Sequence, residues 1–107
     1  MLTLEKTPHA LHFLYHSGSG HELMGEAQLH SDGWIWSVEV YEPFRGSGHG
    51  RVLVEQLIAQ ARAMAMPALQ LWVDPDNAAA ITLYVSLGFE AVGGGGIRGV
   101  HMRKGLA

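Results

Sequence analysis

Residues 45–50 read Arg-Gly-Ser-Gly-His-Gly, and this stretch decides the fold because the periodicity of the chain changes there. Apolar and polar residues alternate before it, as in strands, whereas apolar residues recur at helical spacing after it. Glycines at alternate positions let the backbone tighten and approach a ligand without interference from a Cβ atom. The helix that follows directs free N–H groups and the positive end of its dipole at the same place. The stretch is predicted to be an anion cradle suited to phosphate or diphosphate, with a plain tight connection as the alternative.

The residues upstream predict three antiparallel strands. Apolar and polar side chains alternate over residues 10–16, 23–30 and 34–41, and clusters of glycine, serine and aspartate separate the three runs. Two alternating runs around a short Gly/Ser loop are typical of a β-hairpin. The third run is bulky on both faces, as a central strand would be. Its alternation predicts that Trp36 shares a face with Val38 and Val40.

Downstream, the pattern predicts a helix, a strand, a second helix and two strands. Pro67 stops the first helix, Asp76 or Asn77 can cap the second, and Gly88 suits its end. The predicted elements are a helix over residues 51–66, strands over 68–74, 89–92 and 100–104, a helix ending before Gly88, and a flexible glycine tip over 93–96. The result is a mixed α/β sheet around a βαβ unit, whose two strands we expect to be parallel with a right-handed crossover.

Composition narrows the class of protein. The 107 residues are 48% hydrophobic and 16% charged, which predicts one small folded domain over residues 1–107 rather than a disordered segment. The absence of cysteine excludes a disulfide scaffold, cysteine-ligated zinc and thiol catalysis. A net charge of −3 gives no support for nucleic-acid binding. No apolar run approaches the roughly 18 residues of a membrane span, and no signal-peptide pattern is present, so we expect a soluble cytoplasmic domain.

Two common phosphate-binding motifs do not fit the glycine stretch. A P-loop requires Gly-Lys-Ser/Thr, but Arg51 and Val52 follow Gly50. A dinucleotide-binding unit needs an acidic residue about 20 positions on, at the end of its second parallel strand. Asp74 lies somewhat too far along, and two antiparallel strands precede the unit.

A third interpretation fits better. Val38-Glu39-Val40 followed by residues 43–50 resembles the acetyl-CoA motif of the GNAT N-acetyltransferase superfamily, Arg/Gln-x-x-Gly-x-Gly/Ala, through Arg45, Gly48 and Gly50. Residues 77–89 resemble the second hallmark of that family, Asn-x-x-Ala-x-x-Leu-Tyr-x-x-Leu-Gly-Phe. The resemblance extends from about Ala10 to the C-terminus. It implies a GNAT fold, acetyl-CoA as co-substrate, no metal, and acetyl transfer to an amine by direct attack in a ternary complex.

The resemblance also predicts a departure from the family. GNAT domains usually begin with a strand and two helices before the first hairpin, and at most nine residues precede it here. We therefore expect a shortened member whose acceptor side is open. A homodimer could complete that side, or an open groove could accept a peptide or protein amine. A non-catalytic acyl-CoA-binding module within a larger assembly is the alternative function, and a nucleotide binder is a weaker one.

The resemblance assigns cofactor contacts to three places. The backbone of the central strand would polarise the thioester carbonyl as an oxyanion hole does, the glycine loop would hold the diphosphate, and the second helix would flank the pantetheine arm. The residues concerned are Val38, Val40, Arg45, Gly46, Ser47, Gly48, His49, Gly50, Arg51, Asn77, Ala80 and Tyr84.

Two residues are candidates for proton transfer. The resemblance places Tyr84 beside the coenzyme sulfur, where its phenol could protonate the departing thiolate; the alternative is an aromatic residue filling the inner face of its helix. Glu39 sits among apolar neighbours, where burial would favour the neutral acid and suit it to act as a base for an ammonium substrate. Glu39 could equally face solvent, and Ser37 or Glu39 could instead hold a relaying water.

Histidines and tryptophans are the remaining conspicuous residues. His9, His12 and His16 would share one face of a helix, but the strand pattern places His9 opposite the other two, so no metal site is predicted. The tryptophans at positions 34, 36 and 72 are expected to belong to the core or an interface rather than to an acceptor cage.

Overall fold

The computed structural model describes residues 2–94 and 99–106. Its elements, in chain order, are β1 Leu2–Lys6, β2 Ala10–His16, β3 Leu23–His30, β4 Ile35–Val40, a 3-10 turn Glu42–Phe44, α1 His49–Ala63, β5 Ala68–Val73, α2 Ala78–Ser86, β6 Glu90–Gly94 and β7 Val100–Gly105. The predicted mixed α/β class is confirmed. The predicted glycine tip falls partly on residues 95 and 96, which lie outside the described residues.

The strands form two sheets that meet at one point. One sheet has the antiparallel order β1-β2-β3-β4 and the other the antiparallel order β5-β7-β6. They are joined at a parallel bridge between Trp34 and Gln70, where the Gln70 amide donates to the carbonyl of Gly33 at 3.0 Å. Strands β4 and β5 are therefore parallel, as predicted, but β4 is an edge strand of its sheet rather than a central strand. The open edge of β4 beyond the bridge is called the split.

The expectation that the first strand is missing was wrong. Leu2–Lys6 pairs with β2 in a register that runs from Leu2 opposite Tyr15 to Lys6 opposite Leu11. Most side chains of β1 are exposed, so this edge strand is held by main-chain pairing and has little hydrophobic pattern to reveal it. A short turn at residues 7–9 leads directly into β2, so no helix lies between β1 and β2.

Both helices end in a Schellman motif rather than at a proline. Ala65 adopts a φ of 57°, and the amide of Met66 donates to the carbonyl of Ala61 at 3.0 Å. Helix α1 therefore ends at Ala63, one turn before Pro67 and earlier than predicted; it also begins earlier than predicted, at His49. Gly88, with a φ of 95°, ends α2 in the same way, which confirms its predicted role.

The helices and the inward side chains of both sheets form one core. Helix α1 buries a continuous stripe, and Tyr84 is the buried residue of α2. The largest fully buried side chains are Phe13, Leu29, Leu53, Val54, Leu57, Leu69, Phe89 and Met102. The opposite side of the two sheets, which carries Trp36 and Trp72, is called the outer face. Neither helix among the described residues is long and apolar enough to cross a membrane.

A β-bulge in β4 reverses the alternation predicted from the sequence. Gln28 pairs with Trp36 and Glu26 pairs with Glu39, so two residues of β4 oppose one residue of β3. Ser37 takes the extra position with a φ of 56°. Ile35 faces the core before the bulge, and Val38 and Val40 face it afterwards, while Trp36 and Glu39 are exposed. The predicted shared face of Trp36, Val38 and Val40 was therefore wrong, because a bulge inserts one residue without changing the composition of the strand.

Gly25 allows β3 and β4 to approach each other beside this bulge. A Cβ atom at Gly25 would lie 2.5 Å from the carbonyl oxygen of Glu39. We expect Gly25→Ala to push β4 away and lower the free energy of unfolding by about 1–3 kcal/mol, as overpacked sites do. Gly18→Ala is the control, because a Cβ atom there meets nothing within 4 Å. Urea denaturation of both variants measures the effect, and equal stabilities would contradict the close approach.

Candidate active site

The glycine loop ends in a helix N-terminus that has no side-chain cap. Gly48 is the N-cap residue with a φ of 83°, and the first turn of α1 holds no acidic residue. The amide of Val52 donates to the carbonyl of Gly48 at 3.3 Å. The amides of His49, Gly50 and Arg51 precede this bond and have no intrahelical acceptor. Free N–H groups at the positive end of a helix dipole favour an anion, which is the geometry predicted for this stretch.

The two arginines of the loop connect it to its neighbours. Arg45 donates from Nε to the carbonyl of Val40 at 2.7 Å. Arg51 donates from Nη2 to the hydroxyl of Ser86, also at 2.7 Å, and so joins the first turn of α1 to the end of α2. Each guanidinium has further N–H groups that these contacts do not use. Both side chains are therefore positioned at the loop with donors still available to an anion.

Gly50 lies where α1, α2 and β4 come together. A Cβ atom at Gly50 would be 3.5 Å from the side chain of Leu83 and 3.8 Å from that of Val40. At the other end of α2, the side chain of Asn77 accepts from the amide of Ala80 at 3.2 Å. Of the two predicted caps, Asn77 is the one that caps α2. The N–H groups of its side-chain amide are not used in this bond.

His49 is held against β2. Its Nδ1 and the hydroxyl of Tyr15 share a hydrogen bond of 3.3 Å, and the two rings are 5.6 Å apart. His49 is half-buried and is therefore not a freely solvated loop residue. Gly46 and Ser47 are exposed in front of it.

The backbone of β4 presents polar groups to the split. The amide of Tyr41 donates to the carbonyl of Met24 on β3 at 2.9 Å. Backbone groups alternate sides along a strand, so those of Val38 and Val40 face the opposite edge. The bond from Arg45 to the Val40 carbonyl agrees with this direction. The N–H groups of Val38 and Val40 thus lie at the open edge of β4, where the family resemblance puts the thioester.

Tyr84 fills the core and keeps a protonated hydroxyl. Its side chain is 7% exposed and packs edge-to-face on Phe89, with ring centroids 5.5 Å apart. Burial raises the pKa of Tyr84 to about 12. The phenol therefore stays protonated at neutral pH, as a proton donor requires. A residue in this position can both fill the inner face of α2 and donate a proton, so the two interpretations of Tyr84 offered by the sequence are compatible.

Glu39 lies on the outer face and not in an apolar environment. It is exposed because the bulge at Ser37 turns it away from the core. Of the two positions that the sequence left open for Glu39, burial among apolar residues is wrong and exposure to solvent is confirmed. Its carboxylate instead stands opposite Glu26 in the pairing of β3 and β4.

Glu26 is the centre of a polar cluster that the sequence did not indicate. Its Oε2 accepts from the hydroxyl of Tyr41 at 2.5 Å, and this bond is the main reason, ahead of desolvation, that the pKa of Tyr41 is raised to about 12. The Nε2 atom of His12 lies 3.6 Å from Glu26 Oε1. The three residues meet only through strand register, which has no local sequence signal. No group of three or more His, Asp or Glu residues that could hold a metal ion occurs among residues 2–94 and 99–106.

Comparison with known proteins identifies the family. The sequence profile of the Acetyltransferase (GNAT) family matches residues 3–89. The chain belongs to this family, as the loop and second-helix motifs indicated.

Individual relatives agree with this assignment. Mycothiol acetyltransferase of Acidothermus cellulolyticus is 38% identical over 74 residues, which are 69% of this chain and 20% of that protein. The structure of the ribosomal-protein-S18-alanine N-acetyltransferase of Escherichia coli matches with a TM-score of 0.82 at 24% identity, over 95% of this chain and 72% of the other. The structure of yncA of Salmonella typhimurium with its cofactor acetyl-CoA matches with a TM-score of 0.77 at 25% identity. The match covers 92% of this chain and 65% of the other. The chain spans less than half the length of the curated relatives it matches.

Proposed function

We propose that this chain catalyses acetyl transfer from acetyl-CoA to an amine by direct attack in a ternary complex. The observation that carries the proposal is the uncapped N-terminus of α1 beside the open edge of β4. One feature suits a diphosphate and the other suits a thioester carbonyl, and a single coenzyme has both groups. Added Cβ atoms at Gly46 and Gly48 meet nothing within 4 Å, so the space in front of the loop is open to such a ligand.

Each part of the coenzyme has residues that fit it. The amides at residues 49–51, with Arg45 and Arg51, would hold the diphosphate through charge-assisted hydrogen bonds. The backbone of Val38 and Val40 would bond the pantetheine arm and the thioester carbonyl. The free amide N–H groups of Asn77, next to Ala80, would contact the arm from the other side.

Apart from the attack of the amine on the thioester, the proposed reaction requires only proton transfers. The neutral amine attacks the thioester carbon, a C–N bond forms, and the C–S bond breaks. Amides fixed at the edge of β4 stabilise the negative charge on the carbonyl oxygen. Tyr84 donates its proton to the departing thiolate, and the proton lost by the amine passes to solvent through Glu39 or through a water held by Ser37 or Glu39. The exposure of Glu39 suits this relay better than a buried base.

Calorimetry and a thiol-release assay test the proposal together. We expect acetyl-CoA to bind with one site per chain, and we expect free thiol to appear only when an amine from a panel of polyamines, amino acids, aminoglycosides and peptides is added. Binding without turnover on any amine would favour the acyl-CoA-binding module instead. Displacement of coenzyme A by ATP at equal affinity would favour the nucleotide binder. The absence of heat with folded protein would overturn all three. The homodimer predicted from the sequence stays a prediction, which sedimentation velocity tests.

A further inference from the structure

An aromatic pocket opens on the outer face beside the bulge of β4. It has a volume of about 700 Å³ and includes residues from the turn before β4, from β4 itself and from β5. The lining residues are Asp32, Trp34, Ile35, Trp36, Ser37 and Trp72. Because Ser37 belongs both to the pocket wall and to the bulge, the pocket adjoins the split at which we place the thioester.

The aromatic rings of this pocket hold each other in place. Trp34 and Trp72 stack with centroids 5.8 Å apart, and His101 lies 5.0 Å from the first and 4.9 Å from the second. A hydrogen bond of 2.8 Å to Gln70 fixes the ring of His101. On the other side of the pocket, Trp36 stacks on His30 at 4.4 Å. A ligand would therefore meet aromatic surfaces that are already arranged.

Two of these rings are exposed to solvent, as they would not be in a core. Trp36 is 56% exposed and Trp72 is 40% exposed. Large aromatic side chains are seldom left so exposed together unless something binds to them. Of the two places expected for these residues, the core is wrong, because they lie on the face of the sheets opposite the helices, and the interface stays a prediction.

The charges near the pocket favour a cationic ligand. Asp32 forms part of its lining. Along β4, Glu39 lies beyond the bulge from Trp36 and stands opposite a second carboxylate, Glu26. Arg103, next to buried Met102 on β7, also lies on the outer face, and Glu90 stands opposite it in the pairing of β6 and β7. Indole faces carry negative electrostatic potential and attract organic cations, so rings and carboxylates act in the same direction.

We propose that this pocket binds the acceptor and selects an amine that carries a second, positively charged nitrogen. The charged nitrogen lies against the indole faces of Trp36 and Trp72, and the neutral amine reaches past Ser37 to the split. This inference rests on the proposed function for the identity of the reaction, but the pocket itself can be tested without catalysis. The bonds formed and broken are those of the acetyl transfer described above.

Choline and 3,3-dimethylbutan-1-ol are the probes for this test. They have nearly the same shape, choline has a quaternary ammonium in place of a neutral carbon, and neither has an amine to acetylate. The chain has three tryptophans, and all three line the pocket, so intrinsic tryptophan fluorescence reports on it directly. We expect a saturable change with choline and an affinity about 5- to 20-fold higher than for the neutral alcohol, the range typical of cation–π contacts.

Substitutions locate the binding. Trp72→Leu and Trp36→Leu are each expected to weaken choline binding about 5-fold while leaving the affinity for coenzyme A unchanged. Val92→Ala is the control, because Val92 is an exposed apolar residue of β6 outside the pocket lining. It should leave both affinities unchanged. With a diamine as the acetyl acceptor, Trp72→Leu should raise the KM for the diamine and not the KM for acetyl-CoA.

The outcomes separate this inference from the proposed function. No fluorescence change with choline, in protein that still binds acetyl-CoA, overturns the inference alone. Equal affinities for choline and the neutral alcohol also overturn it, since they show an apolar surface without preference for charge. Choline binding in protein that fails to bind acetyl-CoA supports a cation site and overturns the proposed function. Sedimentation velocity of the wild type and of Trp36→Leu tests a further outcome. If the wild type is a dimer and Trp36→Leu is a monomer with unchanged affinity for choline, the outer face is an interface between copies and the inference fails.

Discussion

Gly48→Asp is expected to weaken coenzyme A binding by about 10- to 100-fold relative to Gly48→Asn. Gly48 has a φ of 83°, and asparagine and aspartate are the residues that best tolerate this left-handed conformation. The two variants are nearly identical in size, so they differ mainly in charge. A carboxylate at the N-cap would compete for the amides that we assign to the diphosphate. Two charges about 5 Å apart repel each other by roughly 3 kcal/mol near a protein surface, and salt reduces this value.

Calorimetry at two salt concentrations measures this difference. Pantetheine, which lacks the diphosphate, is the matched ligand and should bind the two variants equally. The difference for coenzyme A should shrink as salt rises, because screening weakens the repulsion. If Gly48→Asp and Gly48→Asn bind coenzyme A with the same affinity, the loop does not hold the diphosphate and the assignment of residues 45–51 is wrong.

The parts of the fold with local signals were predictable. Asn77 caps α2 and Gly88 ends it because side-chain hydrogen bonding and left-handed φ are properties of single residues. The glycines before α1 mark a change of period that needs no tertiary information. Strand β1 gave only a weak signal, since it has five residues, of which two are apolar, and most of its side chains are exposed, so that its pairing with β2 makes it a strand.

The parts of the site that depend on strand register could not be predicted. Nothing in the residue type of Ser37 indicates a φ of 56°. This one bulge moves Trp36 and Glu39 onto the outer face, and that changes a supposed core residue into a pocket wall and a supposed buried base into an exposed carboxylate. The bond between Tyr41 and Glu26 likewise joins two strands whose relative shift is set by the fold. The glycine loop and the ends of α2 were thus readable from the sequence, whereas the arrangement of side chains around the bulge was not.

Tyr84→Phe is expected to lower kcat about 100-fold and to leave the affinity for acetyl-CoA unchanged. Phenylalanine keeps the ring that packs on Phe89 and removes only the hydroxyl. General acids contribute typically 10²- to 10⁴-fold in rate. Burial raises the pKa of Tyr84 to about 12, so the phenol is a weak acid and the expected loss is at the low end of that range.

The pH dependence distinguishes a proton donor from a packing residue. With a pKa of about 12, Tyr84 keeps its proton across the range in which most amines become neutral. The kcat of the wild type should therefore rise as the amine loses its proton and should not fall again below about pH 10. Stability gives an independent check on the same group. An unfolded tyrosine ionises near pH 10 and the folded one near 12, so the stability contributed by burial is complete below about pH 10 and is lost as pH rises toward 12. Tyr84→Phe should lose less stability than the wild type over this range, and the loss that remains belongs to Tyr41, whose pKa is also raised to about 12.

The measurements on Tyr84→Phe have three outcomes, and each leads to a different conclusion. A lowered kcat with unchanged acetyl-CoA affinity supports proton donation to the thiolate. An unchanged kcat means that the thiolate takes its proton from solvent, and Tyr84 then acts only in the core with Phe89. A lowered affinity with a lowered melting temperature means that the hydroxyl supports the fold, in which case the rate says nothing about the acid.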